Sequence, residues 1–103
     1  MWLVVSFDIP SEPEDNQKFY RTLRKNLIAF GFHSFQKSVA WKWCESAQYA
    51  EKILKGLRRI AQNKNCTVSV FQIPDSAFRR TVLLVDGAWG PPPDPPTPWN
   101  IIS

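Results

Sequence analysis

The sequence has 103 residues, 44% of them apolar, with 13 Lys and Arg against 9 Asp and Glu for a net charge of +4. That length supports one compact domain with its own core. Two cysteines without a CxxC spacing exclude a disulfide framework and a local zinc or redox motif, and no apolar run approaches the length of a membrane span.

The charge is unevenly placed. Every Lys and Arg precedes residue 81, so residues 1–85 carry thirteen cations against seven anions, a net +6. A compact basic body attracts polyanions, nucleic acid most often, although the same charge also serves as a solubilising surface. Cys44 and Cys66 read as small, partly buried thiols of a reducing compartment. The apolar run Trp2–Val5 is too short for a signal peptide and has no basic region ahead of it. The expectation is a cytoplasmic protein with no membrane association.

Residues 2–9 predict a strand stopped by Pro10. Leu3, Val5, Phe7 and Ile9 form one apolar face, whereas Trp2, Val4, Ser6 and Asp8 form the other. A strand apolar on both faces is buried on both, so helices on one side leave a second side to be covered. Ser11, Glu14 and Pro13 give a helix start, and Tyr20, Leu23, Leu27 and Phe30 recur at helical spacing up to Gly31. Arg24 falls inside that stripe. Residues 32–43 read as one long strand with a bend near Ala40, placing Phe35, Val39, Trp41 and Trp43 on one face. A second helix fits residues 46–62, with Ala47, Ala50, Leu54, Leu57 and Ala61 as its stripe. Asn63 and Asn65 suit the turn after it. Residues 66–73 and 81–85 complete the strands. Two helices on one face of a basic sheet make an α+β sandwich, most simply ferredoxin-like, of βαββαβ type with an extra C-terminal strand.

Composition changes after Gly87. Six of nine prolines lie between Pro91 and Pro98, which predicts a domain over residues 1–87 followed by an extended Pro-rich tail over 88–103. The tail ends in Trp99-Asn100-Ile101-Ile102. Trp99, Ile101 and Ile102 are candidate partner-binding anchors, or else part of a disordered end.

Few residues offer chemistry. His33 is the single histidine, and no serine has a base at a recognisable spacing. Asp8 stands at the carboxyl end of the first strand, on the face without helices, where functional groups are often presented. By position alone it reads first as a turn aspartate that assists the Ile9–Pro10 bend. One carboxylate is a poor Mg²⁺ site, but two copies of Asp8 across a dimer axis make a better one. Lys18, Arg21 and Lys25 on the first helix, Lys37, and Arg79 with Arg80 after Pro74 are candidate nucleic-acid contacts. Phosphate contact is the expected mode, without base readout.

Val4-Val5-Ser6-Phe7-Asp8-Ile9-Pro10, the helix segment Tyr20-Arg21-Thr22-Leu23-Arg24-Lys25, Gly31-Phe32, and Phe35-Gln36-Lys37-Ser38-Val39 together resemble the CRISPR-associated protein two family. The stretch from Ile73-Pro74 through Phe78-Arg79-Arg80 is similar to that family's link into its last strand. The resemblance covers about residues 1–87. It implies a ferredoxin-like homodimer with sheet faces apposed, so that a second copy covers Trp2, Val4 and Ser6. It implies Asp8 as the Mg²⁺-linked catalytic residue of a phosphodiesterase acting on DNA or RNA. It further implies a role in spacer acquisition, on double-stranded DNA and beside the CRISPR integrase subunit. Ala40 stands where that family has an aromatic, and the Pro-rich tail is no part of its pattern. An RNA-cleaving, toxin-like nuclease of related fold is the rival expectation.

Overall fold

The computed structural model describes residues 1–10, 14–62 and 64–95, without the side chains of 34–36 and 85. The helix start at Ser11, the turn residue Asn63, and Trp99, Ile101 and Ile102 lie outside the described residues. In chain order the elements are β1 (Trp2–Asp8), α1 (Glu14–Ala29), β2 (His33–Gln36), β3 (Val39–Trp43), α2 (Ala47–Ala61), β4 (Thr67–Ile73), α3 (Asp75–Phe78), β5 (Leu83–Val85) and β6 (Ala88–Gly90).

β1 lies inside a four-stranded antiparallel sheet of order β2-β3-β1-β4, flanked directly by β3 and β4. Its alternation decides what each face buries. Leu3, Val5 and Phe7 point to the helix side, where they meet Phe19, Leu23 and Leu27 of α1 and Ala50, Ile53 and Leu57 of α2. Burying each of the larger side chains stabilises the fold by roughly 1.5–3 kcal/mol. The buried stripe of α1 is rotated slightly from the sequence pattern: Phe19 and Asn16 are in it, while Tyr20 and Phe30 sit at its margin. In α2 Ile53 is buried, Leu54 only partly, and Ala47 is exposed. Arg24 keeps its place beside the stripe by laying its guanidinium 5.8 Å from the Tyr20 ring centre and donating to Tyr20 Oη at 3.3 Å. Its aliphatic stem covers apolar surface while its charge stays near solvent.

α1 ends as its glycine predicts. Gly31 has φ 92°, its N–H donates to Ile28 O, and Phe32 N–H donates back to Leu27 O, both at 2.9 Å. These two hydrogen bonds close the last turn and put Phe32 beside Leu27 in the core. The single strand expected over residues 32–43 is instead a hairpin. The chain turns at Lys37–Ser38, and the pairing slips between Ser34 and Gln36, so the bend falls before Val39 and not at Ala40. The Ser38 carbonyl accepts from Phe7 N–H at 3.0 Å, fixing the turn against β1.

The second face of the sheet departs most from expectation. Trp2 is 2% exposed, but its own chain covers it. Phe78 stacks on Trp2 at 4.2 Å and meets Trp41 edge-on at 5.5 Å, and Trp43 approaches Trp2 at 5.4 Å. Leu83 and Ile73 pack against this cluster. A second copy is not needed at Trp2. Val4 and Ser6, further along β1, are only partly buried. The expected strand at 81–85 is β5, and it pairs with β6 rather than with the main sheet. Asp86 (φ 51°) and Gly87 (φ 83°) form the left-handed turn between them, as Asp-Gly does in two-residue hairpins. The boundary drawn at Gly87 therefore falls inside a hairpin that runs to Gly90.

Candidate functional site

Register identifies the face turned away from α1 and α2. Trp2, Val4, Ser6 and Asp8 stand opposite Ile73, Phe71, Ser69 and Thr67 on β4. On the other side Trp2, Val4 and Ser6 stand opposite Trp43, Trp41 and Val39 on β3. Directly opposed residues share a face, so this face grades from a tryptophan-rich end at Trp2 to a polar end at Asp8, ~20 Å away by strand rise. α3 covers the tryptophan end. The middle stays open, and Phe71 there is 52% exposed.

Asp8 is exposed at the polar end, the last residue of β1 and paired with Thr67. Among the described residues no three His, Cys, Asp or Glu side chains come together as a metal cluster. Asp8 is thus part of no such cluster among the described residues, and a single carboxylate does not meet the octahedral oxygen demand of Mg²⁺.

The candidate cations divide by location. Lys18, Arg21 and Lys25 are exposed and share one face of α1 by their spacing. Lys37 is exposed on the β2–β3 turn, which Tyr20 ties to that helix by donating its hydroxyl to Lys37 O at 2.8 Å. Arg80 is exposed after α3, on the other side of the sheet. Arg79 is not the free loop cation that the sequence suggests. Its Nε lies 3.2 Å from Asp75 Oδ1, its Nη1 lies 2.9 Å from Asp94 Oδ1 and 3.4 Å from Pro92 O, and its Nη2 donates to Pro93 O. Two carboxylates already oppose its charge. The one local signal for this is the i,i+4 spacing of Asp75 and Arg79, whereas Asp94 reaches Arg79 only once the hairpin has formed.

Burial raises the thiols of both Cys44 and Cys66 above the ordinary range, partly offset by Lys42 and the N-terminal amine at Cys44 and by Lys64 at Cys66. Neither acts as a ready nucleophile. Among the described residues no helix is long and apolar enough to cross a membrane.

These features define a class of small α/β protein in which two helices cover one side of an antiparallel sheet and the other side stays partly open. Residues 1–81 match the family model described as CRISPR associated protein Cas2. The chain is 33% identical over 78 residues to a CRISPR-associated endoribonuclease Cas2 of Flavobacterium psychrophilum, covering 76% of this chain and 67% of that one. It is 31% identical over 85 residues to the protein of the same name from Parvibaculum lavamentivorans, covering 82% and 83%. The crystal structure of Streptococcus pyogenes Cas2 superposes with a TM-score of 0.64 at 22% identity, covering 82% of this chain and 100% of that one, a likeness of fold. The chain belongs to the Cas2 family.

Proposed function

We propose that this protein is a cytoplasmic CRISPR adaptation protein that works on nucleic acid as a homodimer, and that Asp8 carries phosphodiesterase activity. The observation that carries the reading is the position of Asp8: exposed, at the end of β1, on the half of the open face that the described segments leave uncovered, within the stretch matched to the family. The succession β-α-β-β-α-β with strand order β2-β3-β1-β4 supports a ferredoxin-like body. The exposed Phe71 beside the partly buried Val4 and Val39 supports apposition of two such faces through their central part. Two copies then bring two Asp8 carboxylates together, a donor set with which Mg²⁺ is held when waters complete its shell. The bound ion would polarise the phosphate and acidify a water. The protein's own part is to place the two carboxylates on rigid strand ends and to hold the substrate by its phosphates.

Lys18, Arg21, Lys25, Lys37 and Arg80 are the phosphate contacts of this reading, and two copies of residues 1–85 carry a charge of about +12. Duplex DNA is the ligand in spacer acquisition beside the integrase subunit, with Trp99, Ile101 and Ile102 as anchors for that subunit. The names of the relatives favour RNA as the strand that is cut. A nuclease role outside CRISPR loses support with membership of the family.

The test is Asp8→Asn. It abolishes Mg²⁺-dependent cleavage of labelled RNA or DNA while light scattering still shows a dimer. Wild-type cleavage by the variant would reduce Asp8 to a turn residue.

A further inference from the structure

Residues 91–95, which follow β6, stay against the protein. Pro92 is buried, and Pro93 and Asp94 form one wall of a groove of ≈ 390 Å³ whose other walls include Trp2, Trp41, Trp43, His33 and Lys42. Pairing builds the aromatic wall: Trp2 stands opposite Trp43, Trp41 lies two residues before Trp43 on the same face, and His33 stands opposite Trp41. Beside this wall lies the Arg79 guanidinium, 5.9 Å from the Trp2 ring centre and 5.4 Å from that of Phe78.

The fit between segment and groove is chemical. Residues 90–95 read Gly-Pro-Pro-Pro-Asp-Pro. A polyproline helix makes no internal hydrogen bonds, so its carbonyls remain acceptors, and its rings pack on aromatic side chains. Arg79 donates to two successive carbonyls, Pro92 O and Pro93 O, and to the one charged side chain of the segment, Asp94. Its planar fork serves several acceptors at once. Asp75 Oδ1 fixes both sides of the receptor, because it accepts from Arg79 Nε at 3.2 Å and from Trp2 Nε1 at 2.8 Å. The tryptophan wall and the cation are therefore set by one carboxylate.

We propose that Trp2, Trp41, Trp43 and Arg79 form a polyproline receptor whose resident ligand is this chain's own Pro91–Pro95. The ligand class is a proline-rich segment carrying an acidic residue, bound in cis. The segment follows β6 directly, so its effective concentration at the groove is high and its stiffness leaves little entropy to lose. The receptor lies at the end of the sheet far from Asp8, and it stands whether or not Asp8 is catalytic.

Two full-length variants test this. Pro92→Ser, Pro93→Ser and Asp94→Ser combined remove the ligand. Asp94→Asn alone changes a side chain that is 92% exposed, and so spares the fold. The readouts are the indole N–H signals of Trp2, Trp41 and Trp43, with circular dichroism to report folding, and titration with a synthetic peptide of residues 90–95. The triple variant is expected to shift the three indole signals and to bind the peptide saturably, about tenfold or more tighter than the wild type, whose Arg79 already holds the chain's own segment. A peptide with glycine in place of proline is expected not to bind. Asp94→Asn is expected to shift the Trp2 signal in the same direction. The proposal is overturned by unchanged indole signals in Asp94→Asn, by equal peptide binding in wild type and triple variant, or by binding of the glycine peptide. Wild-type indole signals that move on dilution would place a second copy's tail in the groove and overturn the cis assignment.

Discussion

Phe78→Ala isolates the element that the sequence placed least well. Phe78 is 2% exposed, stacked on Trp2 with the rings 16° from parallel, and nearly perpendicular to Trp41 at 87°. Truncating a buried phenylalanine costs roughly 3–5 kcal/mol, part of it from lost ring pairs. α3 is only four residues long and can settle toward the hole, which puts the cost near the lower figure, about 3 kcal/mol. For a domain of this size that lowers the melting temperature by roughly 12–24 °C. Phe71→Ala, on the same face but half exposed, is the control and costs no more than about 1 kcal/mol in the isolated protomer. Thermal unfolding followed by circular dichroism at several protein concentrations measures both. If Phe78→Ala melted within about 1 kcal/mol of the wild type, or if its cost vanished on dilution, Trp2 would owe its burial to a second copy and not to α3.

The surface and the thiols yield further outcomes. Neutralising Lys18 and Lys25 together is expected to reduce the salt dependence of duplex binding by about 0.9 of log–log slope per lost contact, equally for unrelated sequences, whereas Arg79→Gln leaves the slope unchanged; a loss confined to one sequence would show base readout. Cys44, fully buried, is expected to react with a thiol reagent only as fast as the protein unfolds, with Cys66 reacting first. Because both thiols are raised in the folded state, their contribution to stability is complete below the unfolded thiol value of roughly 8.5 and is lost as pH rises through the folded values. Urea midpoints that rise between pH 8 and 10 would contradict this.

The main body was legible because its signals are local. Leu3, Val5 and Phe7 alternate, Leu23 and Leu27 repeat at helical spacing, and Gly31 stops α1 as its φ requires. The hairpin at Lys37–Ser38 was hidden because Gln-Lys-Ser contains none of the Gly, Asn or Pro that punctuate turns. The Asp86-Gly87 turn is legible as a hairpin signal, but Ala88–Gly90 is too short a run, followed at once by prolines, to carry a strand pattern of its own. Arg79 and Trp2 were misplaced for a common reason. Apart from the i,i+4 spacing of Asp75 and Arg79, their partners are brought in by tertiary structure, and no sequence period encodes them. Asp8 stands where strand alternation puts it, at the exposed end of β1, and in the proposed function its chemistry depends on what a second copy brings to it.

A mixing experiment addresses that dependence most directly. Wild-type protein at fixed concentration is combined with increasing Asp8→Asn protein, subunits are allowed to exchange, and Mg²⁺-dependent cleavage is measured. If two Asp8 carboxylates from apposed copies are required, a ninefold excess of the variant leaves about a tenth of wild-type chains with a wild-type partner, and activity falls to about that fraction. If activity instead follows the wild-type concentration alone, unaffected by the variant, Asp8 does not act as a pair across a dimer axis and the account is contradicted.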